Sequence, residues 1–236
     1  MNHFLAVAPF RDWPNQARFP AMTHAFTDRD ETELAALVAA KLCHDFISPA
    51  GAVMQGLDLL DDPSAQDMRD DALALIRQSA GRLLAVVDFA RVAYGSSASA
   101  ERYSGETLEK LVRDLVGGGR ATLDWRVEPV DLAKAAARVL LNLAYMTVGA
   151  LPSGGQATVT ARLEGDRLKI EGLAEGARAR LKPEAAAGLA GLPLGEGLSG
   201  QWIQPHWLWL AVARLDGTLT VEAEEGRVRL AVDLPA

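Results

Sequence analysis

Two long runs of helical periodicity joined by only a few residues govern what this chain can become. The first opens at Thr27-Asp28, an N-cap followed by acidic residues in the first turn, and continues to Leu60. Asp61-Asp62-Pro63-Ser64 stops it. Ser64, with Asp67 three residues on, predicts a capping box that starts a second helix lasting to about Tyr94. Helices of roughly 30 residues joined by so short a link must lie antiparallel as a hairpin. A lone hairpin leaves apolar surface uncovered, so pairing with a second copy into a dimeric four-helix bundle is expected.

The rest of the chain divides around this hairpin. Residues 1–26, with Pro9, Pro14 and Pro20 and no sustained period, read as a poorly ordered arm, and Met22 stands as an alternative start. The run Gly95-Ser96-Ser97-Ala98-Ser99-Ala100 is small and flexible and separates a hairpin domain, 27–95, from a second domain, 101–236. In the second domain the pattern predicts a helix near 104–116 and a strand near 120–127. Pro129 then precedes an apolar helix to about Gly149. Strands near 156–163 and 167–172 turn at Gly165-Asp166. Helices near 183–190 and 201–215 follow, and strands 217–223 and 227–234 close the chain. The fold class is therefore α+β, a helical hairpin followed by a sandwich of helices on a mostly antiparallel sheet.

Composition narrows the function. With 49% apolar residues, 236 residues suffice for two modest domains, each able to bury its own core. The net charge of −7 is spread along the chain and no Lys/Arg cluster appears, so nucleic acid is not an expected partner. A negatively charged partner would need a local basic patch. The single cysteine, Cys43, leaves no internal disulfide and no Cys-rich zinc site. No apolar run approaches the roughly 20 residues of a membrane span, and the first residues lack a signal-peptide pattern, so a cytoplasmic protein away from membranes is expected.

Of four histidines, only His44 lies in a strongly patterned helix. At about 100° per residue, Leu34, Val38, Leu42, Phe46, Pro49, Val53, Leu57 and Leu60 form one apolar stripe, with His44 almost opposite. Beside it on the outward side fall Ala40, Lys41, Ser48, Gly51 and Gln55, small or polar residues that leave a bulky partner room to reach the ring. An exposed helical histidine is ordinarily only a solvated residue, but its context here has chemical content. Imidazole, with an ordinary pKa near 6.5, offers a neutral nitrogen for attack on phosphorus. Asp45 can hold the proton of the other ring nitrogen and stabilise the cation formed on attack, although a plain ion pair with Lys41 would also account for it. Pro49 removes a hydrogen bond inside the helix, a cost that suggests a purpose. A turn at Pro63 brings Arg82 level with His44, where it could meet a phosphate, and Gly81 leaves space beside it.

The segment Lys41-Leu42-Cys43-His44-Asp45-Phe46-Ile47-Ser48-Pro49-Ala50-Gly51-Ala52-Val53, with Gly56-Leu57-Asp58-Leu59-Leu60, resembles the phosphoacceptor helix of the ChpT family of bacterial histidine phosphotransferases. More loosely it is similar to the His-acid-x-x-x-Pro pattern of sensor-kinase dimerisation domains. Leu140-Leu141-Asn142-Leu143-Ala144, followed by Leu151-Pro152-Ser153-Gly154-Gly155, resembles the asparagine-bearing helix of a histidine-kinase ATP-binding domain. That superfamily also needs an Asp-x-Gly-x-Gly loop, and there is no aspartate between Asp166 and Asp216. Gly195-Glu196-Gly197-Leu198-Ser199-Gly200 matches G-x-G-x-x-G, yet it lacks the βαβ setting of a dinucleotide site and reads as a flexible loop. Asn142 alone would hold Mg²⁺ poorly.

The resemblance thus implies a homodimeric phosphorelay protein with His44 as phosphoacceptor, Asp45 orienting or stabilising it, and Lys41, Ser48, Gly51, Gln55 and Arg82 as receiver-docking candidates. It implies no cofactor bound by this chain: ATP is not expected, and Mg²⁺ would come with the partner. That partner would be the receiver domain of a CckA-like hybrid histidine kinase as donor, with CtrA-like and CpdR-like response regulators as acceptors. An active histidine kinase, a noncatalytic dimeric scaffold and a metal-dependent hydrolase are the rival readings; the last would need converging ligands that the scattered histidines do not supply. Trp202, Trp207, Trp209 and His206 are expected in the core, and adjacency on a helix denies Cys43 a pairing with His44.

Overall fold

The computed structural model describes residues 17–19, 28–95, 101–128, 131–192 and 203–236. The remainder of the N-terminal arm, the Ser96–Ala100 linker, Pro129, Trp202 and the Gly195–Gly200 loop lie outside them. Helix α1, Asp28–Asp61, runs unbroken for 34 residues through Pro49, and α2, Arg69–Ala93, returns beside it. At Gly56 the two approach so closely that a Cβ would stand 2.6 Å from Ile76 Cγ1.

The predicted capping box is not what turns the chain. Asp62 Oδ1 instead accepts from both the backbone N–H and the hydroxyl of Ser64, each at 2.7 Å, and these bonds hold its carboxyl below the usual pKa. With its hydroxyl spent on this Asx turn, Ser64 cannot cap a helix. The chain enters α2 through a short 3-10 turn, Gln66–Met68, with no side-chain cap at Met68.

Beyond the linker come β2 (Arg102–Tyr103), α3 (Gly105–Val116), β3 (Ala121–Val127), β4 (Leu132–Ala133) and α4 (Lys134–Gly149). Then follow β5 (Gly155–Glu164), β6 (Arg167–Glu175), α5 (Pro183–Leu189), α6 (Ile203–Ala213), β7 (Thr218–Glu224) and β8 (Arg227–Pro235). Ser104 caps α3 by accepting from the Thr107 N–H at 3.2 Å. Strands β2 and β4 form a two-residue ladder too short for any period to announce.

With β1 at Ala17–Phe19, the main sheet runs β1-β7-β8-β6-β5-β3, with β3 and β5 parallel and all other neighbours antiparallel. Its first strand, β1 (Ala17–Phe19), lies within the stretch expected to be a poorly ordered arm. The free backbone groups of edge strand β7 give that stretch hydrogen-bond partners, which composition cannot reveal. Strict alternation buries Leu168, Ile170 and Ala174 on β6 and Val228, Leu230, Val232 and Leu234 on β8 beneath the helices. The other face carries ion pairs, among them Arg167–Asp233 at 2.7 Å and Arg229–Glu171 at 2.6 Å. Helix α4 rides so low on the sheet that a Cβ at Gly172 would overlap the Thr147 hydroxyl.

The expectation of two separate cores is corrected. Leu34, Val86, Phe89, Val92 and Ala93 of the hairpin belong to one apolar cluster with Leu108, Leu140, Leu143, Leu189 and Leu208 of the α/β unit. Helix α2 packs on α3 and α4, and α1 on α6, so the hairpin and the α/β unit complete each other's burial. The apolar stripe of α1 is likewise only partly used. The buried line runs through Leu34, Lys41, Pro49 and Gly56, while Val38, Leu42, Phe46, Val53 and Leu60 are half-buried. Ile47, Met54 and Leu57 on α1, and Leu84 and Val87 on α2, are exposed.

Candidate functional site

His44 stands midway along α1, just over one turn before Pro49, with 65% of its side chain exposed. Its Nδ1 lies 3.3 Å from Asp45 Oδ1. A carboxylate can only accept, so this contact places the ring proton on Nδ1 and leaves the lone pair on Nε2, which has no hydrogen-bond partner among the described residues. Asp45 Oδ2 in turn accepts from Lys41 Nζ at 2.7 Å.

Lys41, a docking candidate in the sequence, proves unsuited to that role. Its side chain is 5% exposed, and its ammonium lies over the ring of Tyr145 on α4, 5.6 Å from the centroid. The helical wheel placed it near His44 correctly but could not foresee that the α/β unit would cover it. Ser48 and Arg82, by contrast, line a groove of about 470 Å³ together with His44, Asp45, Tyr94 and Gln204. Arg82 has no ion-pair partner among the described residues. Gly51 and Gln55 are exposed further along α1, outside this groove.

A second cavity of about 280 Å³ also reaches His44 and Asp45, and brings Arg180 and Lys182 beside them. These two cations, with Tyr94, Tyr145 and Gln204, complete the surroundings of His44, and none of the five is a site residue on sequence grounds. No local motif could have supplied them, because they come from four separate places in the chain: the end of α2, α4, α6 and the segment after β6. The scarcity of tyrosine was a usable signal: two of the three in the chain stand at this site. Burial pushes the pKa of Tyr94 well up, and nearby Tyr145 and Asp45 push it further, so its hydroxyl stays neutral.

Residues 105–227 match the family described as histidine phosphotransferase C-terminal domain. Protein phosphotransferase ChpT of Brucella abortus (strain 2308) is 30% identical over 196 residues, 81% of this chain and 90% of that protein. This chain belongs to the ChpT family of histidine phosphotransferases. A solved structure described as a bacterial phosphotransferase shares the fold, with a TM-score of 0.76 at 24% identity over 89% of this chain and 98% of that one. A histidine kinase domain from Erythrobacter litoralis superposes more distantly, with a TM-score of 0.45 at 11% identity over 79% of this chain and 94% of that one.

In this phosphotransferase the asparagine of α4 is engaged by protein on every side. Asn142 is fully buried. Its Nδ2 donates to Ala93 O at 3.2 Å and Arg138 O at 2.8 Å, and its Oδ1 accepts from Gln204 Nε2 at 3.2 Å. Trp207 Nε1 donates to the same Ala93 carbonyl at 2.8 Å, Arg138 donates to Gly95 O, and the Arg138 guanidinium lies 5.5 Å from the Trp207 ring centroid. Side chains of α4 and α6 thus satisfy the carbonyls that the end of α2 leaves open, fastening the α/β unit to the hairpin. Both ends of the carboxamide are thereby taken by protein groups. Trp209 and His206 pack on each other at 5.3 Å in the core, as expected for core residues. Among the described residues no helix is long and apolar enough to cross a membrane.

Proposed function

We propose that this chain relays phosphoryl groups between receiver-domain aspartates in the cytoplasm, with Nε2 of His44 as the carrier. The observation that carries the reading is the exposed imidazole whose Nδ1 is tied to Asp45 while Nε2 stays free. In the forward step the Nε2 lone pair forms a bond to phosphorus as the acyl phosphate P–O bond breaks, and the receiver's carboxylate leaves with the electron pair. The ring becomes a phospho-imidazolium, its Nδ1 proton retained and its charge faced by Asp45. Arg82 offers its guanidinium to the moving phosphoryl oxygens. The reverse step discharges the group to a second receiver. Mg²⁺ arrives with the receiver, and neither it nor ATP is held by this chain in this reading, which the commitment of Asn142 to protein partners supports.

The resemblance supplies a CckA-like hybrid kinase as donor and CtrA-like and CpdR-like regulators as acceptors. Ser48, Gly51 and Gln55 offer a low surface along α1 for docking, and Arg180 and Lys182 add charge from the α/β unit. Exposed Ile47, Leu84 and Met54, at 72%, 64% and 57%, support pairing of two hairpins into a four-helix bundle, which sedimentation of wild type against Ile47→Glu/Leu84→Glu would test.

The decisive experiment is transfer from a ³²P-labelled phospho-receiver to the wild type and to His44→Ala, with ATP alone as a parallel donor. Labelling of the wild type only, and only from the receiver, is the expected result. Labelling from ATP would make the chain a kinase, and no labelling from receivers of all three kinds would leave it a scaffold.

A further inference from the structure

We propose that Lys41 is a positioning residue for the phosphoacceptor: clamped under the Tyr145 ring of α4, it anchors Asp45 so that Asp45 fixes the Nδ1–H tautomer of His44. The geometry stands by itself; its consequence for phosphoryl transfer rests on the relay reading above.

Neighbouring side chains at i and i+1 point about 100° apart and do not face each other. A contact between His44 and Asp45 must therefore be imposed from outside that pair. Lys41 lies three residues before His44 and four before Asp45, on the adjoining ridge, and draws Asp45 Oδ2 to 2.7 Å. With one oxygen held there, the other is presented to His44 Nδ1 at 3.3 Å.

Burial turns an ordinary pair into a fixed one. An exposed i,i+4 pair contributes little energy and samples many geometries. Here the side-chain exposure climbs from 5% at Lys41 to 27% at Asp45 and 65% at His44. An ammonium that deep must keep its partners or lose several times that energy, so it cannot drift away from Asp45. Its second partner, the Tyr145 ring, belongs to α4 and packs on Phe89 of α2 at 5.8 Å between centroids. The α/β unit therefore reaches the His44 imidazole, at Nδ1, through Tyr145, Lys41 and Asp45 in turn. Other polar groups line the same cavities: Arg82 from α2, Tyr94 just past its end, and Arg180 and Lys182 from the segment after β6. Among the described residues Arg82, Tyr94 and Arg180 make no hydrogen bond to Asp45 or Lys41, and the neutral Tyr94 hydroxyl does not compete for the ammonium.

Two readouts on full-length, unphosphorylated protein test this without any receiver. Two-bond ¹H–¹⁵N NMR reports the His44 tautomer, and phosphoramidate, a small donor that releases ammonia as phosphorus bonds to the ring nitrogen, reports its reactivity across pH 6–9. In the wild type the Nδ1–H form should dominate. Lys41→Met, close in volume and free of charge, should stay folded, lose that dominance and label about tenfold more slowly across the pH range, the loss of one charge-assisted hydrogen bond. Tyr145→Phe, which keeps a ring over the ammonium, should retain the wild-type tautomer, whereas Tyr145→Leu should move it as Lys41→Met does. If Lys41→Met fails to fold, the Tyr145 pair decides by the same criterion.

A wild-type tautomer in a folded Lys41→Met protein, or a shifted tautomer with an unchanged labelling rate, would overturn the proposal. Because phosphoramidate needs no receiver, a chain that labels normally yet accepts nothing from receivers would sink the relay reading and leave the role of Lys41 standing.

Discussion

His44 and Asn142 each sit midway along a helix, yet His44 leaves 65% of its side chain in solvent while Asn142 is fully buried. Around His44 the structure keeps space: a groove, a second cavity, and exposed Ser48, Gly51 and Arg82. Around Asn142 it leaves none, because Ala93 O, Arg138 O and Gln204 take both ends of the carboxamide. The difference separates two uses of a polar residue. An open one can still do chemistry with whatever docks, whereas a saturated one has become a joint between the α/β unit and the hairpin.

That contrast breaks most visibly at glycines. Gly172→Ala would drive a methyl into Thr147 and Leu143 where α4 rests on β6, and should cost about 3 kcal/mol of stability by overpacking. Gly51→Ala on the open face meets nothing within 4 Å, and should raise the stability of the free chain by about 0.5–1 kcal/mol through helix propensity alone. Urea denaturation of both variants checks the pair, and a loss of similar size at Gly51 would mean that the face is not open. Between them in size comes Asn142→Ala, which strips Ala93 O of one donor and leaves the Gln204 amide unpaired. It should lower stability by about 2 kcal/mol. His44→Ala should stay within about 0.5 kcal/mol of wild type. Equal midpoints for Asn142→Ala and His44→Ala would erase the distinction between joint and reactive face.

The same contrast explains what the sequence could tell. The hairpin, the sheet strands and the position of His44 follow from period and turn chemistry, which are local. So does the placement of Arg82, since a short connection fixes which residues of two antiparallel helices lie level. The other features depend on how separate elements meet. Lys41 looked solvent-facing on a helical wheel because the wheel contains no α4. Tyr145, Gln204, Arg180 and Lys182 come from scattered places in the chain and converge only once α4, α6 and the segment after β6 are packed. Ser64 misled for a smaller reason of the same kind: Asp62, two residues earlier, bonds its hydroxyl before any helix can. The pairing of Ala17–Phe19 with β7 depends on an edge that exists only after the sheet forms.

The smallest predicted effect tests the closed side by pH. His206 is buried against Trp209, its Nδ1 has no hydrogen-bond partner among the described residues, and burial lowers its pKa from the ordinary 6.5. The unfolded chain takes up this proton near 6.5, the folded chain only at a lower pH, so between the two the unfolded state binds more protons. Stability therefore rises with pH in that interval. The contribution of the neutral ring is complete above 6.5 and is lost as pH falls through the folded value. Asp62 and Asp233, whose pKa the fold lowers from 3.8, start from a value well below 6.5, and the His206→Gln comparison cancels their contribution. Melting curves at pH 7.5, 6.5 and 5.5 should thus fall less steeply for His206→Gln than for wild type. Identical slopes would mean that the core around Trp209 accommodates an imidazolium, and that the joint side of the molecule is looser than the packing of Asn142 implies.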